Sequence, residues 1–300
     1  LPESFIPTPE ELARAKEDVK DSFLFVPDGM GGEKPMAFAV RANTDVKLRE
    51  KHVAINIERP LPRFLSRPDL MVLRDEPIAI VGGGPSAKHY LDEIRKFKWV
   101  MAAGSAHDFL MENGITPHFA ISTDSKEETN DYYKHLNPTT EYLLASTSPP
   151  SFFDRLEKGG CKTWIWHFYE QVDPEHYRGE AQCGWGCMVG VVCIQMALWL
   201  GFQHQHYFGY DCCISPEETH AYKVADWETK FIRDNVTEAM IGDEKTKYLT
   251  TTAYIAQTTH FLAVYRSPDG NYLRGTVYGK GMLWDVIRQT PGIETWLKAA

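Results

Sequence analysis

From Pro77 onward, short apolar runs recur along this chain at regular spacing. They read PIAIVGG (77–83), KWVMAAGS (98–105), HFAISTD (118–124), EYLLAST (141–147), KTWIWHF (162–168) and HQHYFGYD (204–211). Between most of them lie longer stretches with helical spacing, such as SAKHYLDEIRKF, AHDFLMENG and CMVGVVCIQMALWLG. Runs that are apolar at nearly every position predict strands covered on both faces. Strands alternating with helices predict a parallel sheet with helices on both sides. The expected fold is therefore α/β: a Rossmann-like, mostly parallel sheet over 76–212.

The rhythm is absent on either side. Within 1–75, TPEELARAKEDVKDSF predicts a surface helix from about Pro9. KHVAINIERPLPRFLSRPDL comes next, with Pro60, Pro62 and Pro68 arguing against any long element. This stretch is expected as an N-terminal extension packed on the core. Residues 213–300 open with the polar, aromatic ISPEETHAYKVADWETKFIRDN. A helix (TAYIAQTTHFLAV), a strand (NYLRGTVYG) and a last helix (KGMLWDVIRQ) are predicted after it. They form a C-terminal α+β elaboration or lid.

Composition narrows the classes. The net charge of −9 disfavours a surface built to grip duplex DNA tightly. Six cysteines in 300 residues do not form a disulfide framework, and none has zinc-site spacing, so they are expected as buried thiols in a reducing compartment. No apolar run reaches the roughly 18 residues of a membrane span, and no secretory signal is visible. A cytoplasmic location is the expectation.

The candidate chemistry lies at strand ends, where open α/β sheets bind ligands. In IAIVGGGPSAKHYLDEI, Gly82, Gly83 and Gly84 would let backbone approach an anion, with Pro85 and Ser86 opening a helix. Gly82, Gly84 and Ala87 satisfy G-x-G-x-x-A, but Gly104 and Ser105 stand where a dinucleotide site wants its ribose-binding carboxylate. A G-K-[ST] motif is absent as well. Ser122, Thr123 and Asp124, Ser146 and Thr147, His167 and Tyr169, and Gly209, Tyr210 and Asp211 close the other strands. Asp124 and Asp211 could hold Mg²⁺, bind a ribose or activate an acceptor; an Asp in such a place is also a common helix cap. CGWGCMVG (183–190) makes a second glycine-bearing helix entrance. His220, in the loop after Asp211, has the ordinary pKa of a catalytic or phosphate-contacting group. Trp164, Trp166, Tyr169, Trp185 and Tyr210 could offer a stacking wall for a sugar or base.

In order and spacing, IVGGGPSAKHYLDEI, VMAAGSAHDFLMENGITPHFAISTDS and GCMVGVVCIQMALWLGFQHQHYFGYDCC…HAY resemble the MptE-like family. That family includes archaeal 6-hydroxymethylpterin diphosphokinase, the Maf motility accessory factors and many phage and prophage members. The G-x-G-P-S turn is also similar to that of bacterial sialyltransferases. The resemblance implies nucleotide phosphates at Gly83, Gly84, Pro85 and Ser86, an acidic strand end at Asp124, the family G-x-D at Gly209 and Asp211, and its downstream histidine at His220. It implies a nucleotide-binding asparagine at Asn56. Three functions are then open. The first is a glycosyltransferase moving sugar from a CMP- or NDP-sugar to an acceptor hydroxyl. The second is a diphosphokinase using ATP and Mg²⁺, the metal on Asp124, on a hydroxymethyl, pterin-like acceptor. The third is a nucleotide-binding module without turnover. The expected partners are thus a nucleotide or nucleotide-sugar donor and a small-molecule, glycan or nucleobase acceptor.

Overall fold

Strands appear where consecutive residues must be buried on opposite faces. Ile78 and Ile80 enter one core cluster and Ala79 and Val81 the other, all with no exposed surface. Burying each Ile or Val side chain is worth about 1.5–3 kcal/mol, which favours the fully covered position. The computed structural model describes residues 46–169, 172–241, 246–266, 272–290, 293 and 297–300, with the backbone of 25–27 and 33–35. The helix expected from Pro9 lies outside the described residues.

The strands are β1 (Phe25–Pro27), β2 (Glu33–Pro35), β3 (Ile78–Val81), β4 (Trp99–Ala103), β5 (Phe119–Ser122), β6 (Glu141–Ala145), β7 (Lys162–Trp166), β8 (His204–Phe208), β9 (Val236–Ile241), β10 (Thr246–Thr251), β11 (Arg274–Val277) and β12 (Leu297–Ala299). Eight of them form one sheet in the order β12-β11-β8-β3-β4-β5-β6-β7, every pairing parallel. β1–β2 and β9–β10 are separate antiparallel pairs. The order reverses between β3 and β8, the place where open parallel sheets form a crevice.

The α-helices are α1 (Val46–Asn56), α2 (Leu91–Ile94), α3 (Ala106–Glu112), α4 (Pro150–Lys158), α5 (Val189–Trp199), α6 (Asp226–Asp234), α7 (Thr252–Arg266) and α8 (Met282–Gln289). On one face of the sheet α5 is central, its residues Gly190 to Ala197 buried among core side chains from α7 and α8. The other face carries the α3 and α4 cluster. Among the described residues no helix is long and apolar enough to cross a membrane.

Three expectations change. KHVAIN belongs to α1, which stops at Asn56 before Pro60, so the prolines limit only the residues after the helix. SAKHYLDEIRKF is a 3₁₀ helix (Pro85–His89) and then the single-turn α2, because Ala87 and Tyr90 bond three residues back, to Gly84 and Ala87. Finally, the sheet does not end at β8: β11 adds to its outer edge and β12 to β11.

Candidate active site at the carboxyl edge of the sheet

Gly82, Gly83 and Gly84 come directly after β3, and none needs a left-handed backbone. They are bare because of close approach. A Cβ on Gly82 would sit 2.8 Å from the Gly209 carbonyl oxygen; on Gly84 it would sit 2.6 Å from the same oxygen and collide with Asp211 Oδ2. Gly209 interlocks from the other side: its φ is +70°, and its Cβ would come 2.5 Å from the Gly82 oxygen. Gly83 faces elsewhere, with a Cβ position 2.7 Å from Tyr222 Oη and 2.8 Å from His220 Cδ2.

The N–H groups of the turn are mostly spoken for. Gly82 donates to Phe208 O (2.8 Å), Gly84 to Gly209 O (2.9 Å) and Ala87 to Gly84 O (3.1 Å). Ser86 donates to Asp211 Oδ2 twice, through its N–H (3.1 Å) and its hydroxyl (2.9 Å). Pro85 has no N–H. Asp211 therefore stands where an anion was expected, at the mouth of the Pro85–His89 helix, and only the Gly83 N–H is left over. Burial pushes the Asp211 carboxyl above its usual pKa, with the two Ser86 bonds pulling the other way. Gly279 and Gly281, after β11, press on Ser86 and Asp211 from behind.

Beyond β8 the chain turns back across the strand ends as a strap. The Ala221 N–H donates to Gly83 O (3.0 Å), above β3. Tyr222 shares a 2.7 Å hydroxyl–hydroxyl bond with Ser105, above β4. On α6, Glu228 accepts a hydrogen bond from Tyr132, and Lys126 lies 4.9 Å over the Trp227 ring, both beyond β5. His220 thus rests on Gly83, with Nδ1 3.2 Å from Thr219 Oγ1 and Nε2 3.8 Å from Glu228 Oε1. Burial drives its pKa down to about 4, so the ring is neutral at pH 7. Burial raises the pKa of Glu228 and Asp124, each adjacent enough to be felt by the other or by Lys126. A cavity of about 340 Å³ opens between the strap and α6, with His220 and Tyr222 in its wall.

The other expected residues divide. Gly104 (φ +56°) brings β4 against Val189 at the start of α5, a helix entrance with no side-chain cap. Ser105, Thr123 and Asp124 lie at the same edge. Asp124 accepts from the Lys126 N–H (3.2 Å). Asp124 and Asp211 end strands three steps apart, about 14 Å at the usual ~4.8 Å spacing. That is too far to share one Mg²⁺, whose ligands lie about 2.1 Å away. Among the described residues no three His, Cys, Asp or Glu side chains group to hold a metal.

Asn56 is consumed by the protein. Its amide donates to Ser146 O (2.9 Å) and Ser148 O (2.8 Å), and its oxygen accepts from Arg59 (3.1 Å). Ser146 and His167 pair with each other, and His167 continues to Glu180 (2.8 Å). The aromatic wall does not form. Trp166 and Tyr210 are core, and Trp164 sits under Arg67 while bonding Glu141. Trp185 packs on His260 instead.

Glu228, Tyr132, Lys126 and Tyr222 are the residues that sequence reasoning passed over. Only Tyr222 carried a signal, two places after His220 in HAY. The Tyr132–Glu228 contact joins residues 96 apart in sequence, which no local pattern announces.

Among solved structures, the MAf glycosyltransferase from Magnetospirillum magneticum AMB-1 is similar over 90% of this chain, at 15% identity and a TM-score of 0.54. The chain spans 40% of that protein's length. A mammalian sialyltransferase, solved with Gal-beta-1-3GalNAc-ortho-nitrophenol, aligns over 81% of both chains at 9% identity and a TM-score of 0.36, and adds nothing to the fold assignment. No curated protein matches. The sequence profile of the family described as 6-hydroxymethylpterin diphosphokinase MptE-like matches residues 55–217, more than half of the chain, from α1 to the loop beyond β8. The chain belongs to the MptE-like family.

Proposed function

We propose that the protein is a nucleotide-dependent transferase that moves a sugar from a CMP- or NDP-sugar donor to an acceptor hydroxyl. The observation that carries this reading is the strap, which brings His220 onto Gly83, the residue of the turn whose N–H has no partner. The donor phosphate would lie over the unclaimed Gly83 N–H, between the Ser105 turn and the uncapped start of α5, whose free N–H groups favour negative charge. Asp211 would then position the turn and not touch substrate. The acceptor oxygen bonds the anomeric carbon of the sugar as the bond from that carbon to the phosphate oxygen breaks. The nucleotide leaves with the electron pair, and the acceptor proton passes to the strap. Family membership supports a transferase, and the fold likeness to a glycosyltransferase supports sugar transfer.

The family's own description favours a second reading, pyrophosphoryl transfer from ATP to a hydroxymethyl acceptor, with Mg²⁺ brought in on the substrate and met by Asp124. One screen separates the two. Thermal stability is measured with CMP, UDP, GDP, ADP and ATP, with and without Mg²⁺, and with their sugar conjugates. A ligand at 100 times its Kd adds about 2.7 kcal/mol. Stabilisation by CMP, UDP or GDP and their sugars, with release of the nucleotide, is the expected result. Preference for ATP with Mg²⁺, and release of AMP, would transfer the assignment to the diphosphokinase. A shift with no product released would leave the nucleotide-binding module without turnover, and no shift at all would overturn every nucleotide-dependent reading.

A further inference from the structure

His220 is the residue of this site that the sequence marks, yet its position suits a different task from proton abstraction. Its Nδ1 is engaged with Thr219 Oγ1, and its Nε2 points at Glu228 Oε1 across 3.8 Å. That gap is too long for a hydrogen bond. It is the right width for one oxygen atom to stand about 2.8 Å from both groups. Glu228 is held for such a partner: Oε2 takes the Tyr132 hydroxyl, α6 is clamped by Lys126 over Trp227, and Oε1 is left toward His220.

We propose that the acceptor hydroxyl binds between His220 Nε2 and Glu228 Oε1, that Nε2–H donates to the acceptor oxygen, and that Glu228 removes its proton. A hydroxyl has one proton to give and lone pairs to fill, so one neighbour must donate and the other accept. The assignment requires the Thr219 hydroxyl, 3.2 Å away, to donate to Nδ1, which puts the ring proton on Nε2. As the bond from the acceptor oxygen to the anomeric carbon forms, the proton moves to Glu228, the bond from that carbon to the phosphate oxygen breaks, and the nucleotide phosphate carries off the electron pair. Atoms and charge balance without an added reagent. The electrostatics agree with the geometry. His220, at about 4, is a weak base, whereas Glu228 is shifted up toward neutrality by burial. Asp124 raises Glu228 further, and Lys126 and the Tyr132 bond hold it down.

This assignment rests on the transferase reading, and its test keeps the two apart. Water serves as the acceptor, and the probe is whichever CMP-, UDP- or GDP-sugar stabilises the wild-type protein; nucleotide release is measured from pH 4.5 to 9. Glu228→Gln keeps the shape and should still be stabilised by the nucleotide, with release slowed about 10²–10⁴-fold. It should also lose the acid limb of the profile. Tyr132→Phe keeps the carboxylate but removes its hydrogen bond, and should move that limb to higher pH. His220→Asn, which can still donate, should retain at least ten times the rate of His220→Ala. Glu228→Gln hydrolysing at the wild-type rate, or an acid limb that neither variant alters, overturns the assignment of Glu228 alone. A wild-type protein that neither binds nor hydrolyses any of these sugars overturns the transferase reading and this assignment with it.

Discussion

At Gly84 an added Cβ would meet the Asp211 carboxylate and the Gly209 carbonyl, neither of which can step aside. At Gly83 the same methyl meets the ends of two side chains, Tyr222 and His220, which can swing away. Neighbouring substitutions should therefore have opposite signatures. Gly84→Ala is expected to lower stability by about 1–3 kcal/mol through overpacking, read as a fall in the denaturant midpoint. Gly83→Ala should unfold almost normally but lose transfer, because His220 is displaced. Equal midpoints for the two would contradict these contacts. His220 gives a second test at this scale. Its pKa is about 4 in the folded protein against 6.5 unfolded, so folding favours the neutral ring. That stability is complete above pH 6.5 and disappears as pH falls toward 4, a change of about 3 kcal/mol. Asp124, Asp211 and Glu228 are shifted upward and gain stability over acid pH, masking the loss in the wild type alone. The clean measurement is the stability difference between wild type and His220→Gln, which should shrink between pH 7 and pH 4. A difference independent of pH would mean that the ring is not buried against Gly83.

The elements best read from sequence are those whose own residues carry the reason for their structure. β3 to β8 are apolar almost throughout because each is covered on both faces, and their positions can be read from the runs alone. α5 and α7 were legible for the same cause. α1 was missed because its helical face is weakly patterned and prolines come soon after it. β9 alternates only between half-exposed and exposed positions, so the β9–β10 pair gave no clear period. In the candidate site, the glycine turn and the strand-end residues carry sequence motifs, whereas Glu228 on α6 carries none. Asn56, marked in the sequence for a ligand, is found joining α1 to the loop after β6. Asn56→Ala leaves the Ser146 and Ser148 carbonyls without their donor in a site with no exposed surface. A loss of roughly 1–3 kcal/mol is expected. Nucleotide stabilisation, measured as the ligand-induced Tm shift, should persist. Loss of that shift in a protein of normal stability would return Asn56 to the ligand.

At the scale of the whole molecule, the segment after β8 works both as a cover and as a wall. Its strap closes the site, and its last elements complete the sheet: β11 pairs with β8, and β12 with β11. Leu273, Val277, Met282, Leu283, Val286, Ile287 and Leu297 are all buried in the larger core cluster. Seven such side chains contribute on the order of 10–20 kcal/mol, an upper figure but comparable with the 5–15 kcal/mol by which a domain is stable at all. The same segment also holds the site, since Gly279 and Gly281 fix Ser86 and Asp211 behind the glycine turn. Deleting 272–300 should therefore abolish cooperative unfolding, expose the apolar face of β8 and α7 to a hydrophobic dye, and remove nucleotide binding together with it. Glu228→Gln, by contrast, should leave the melting transition sharp while slowing nucleotide release about 10²–10⁴-fold. A truncated protein that still melted cooperatively and bound nucleotide would show that β3 to β8 stand alone, and that the final strands are an appendage to a site already complete without them.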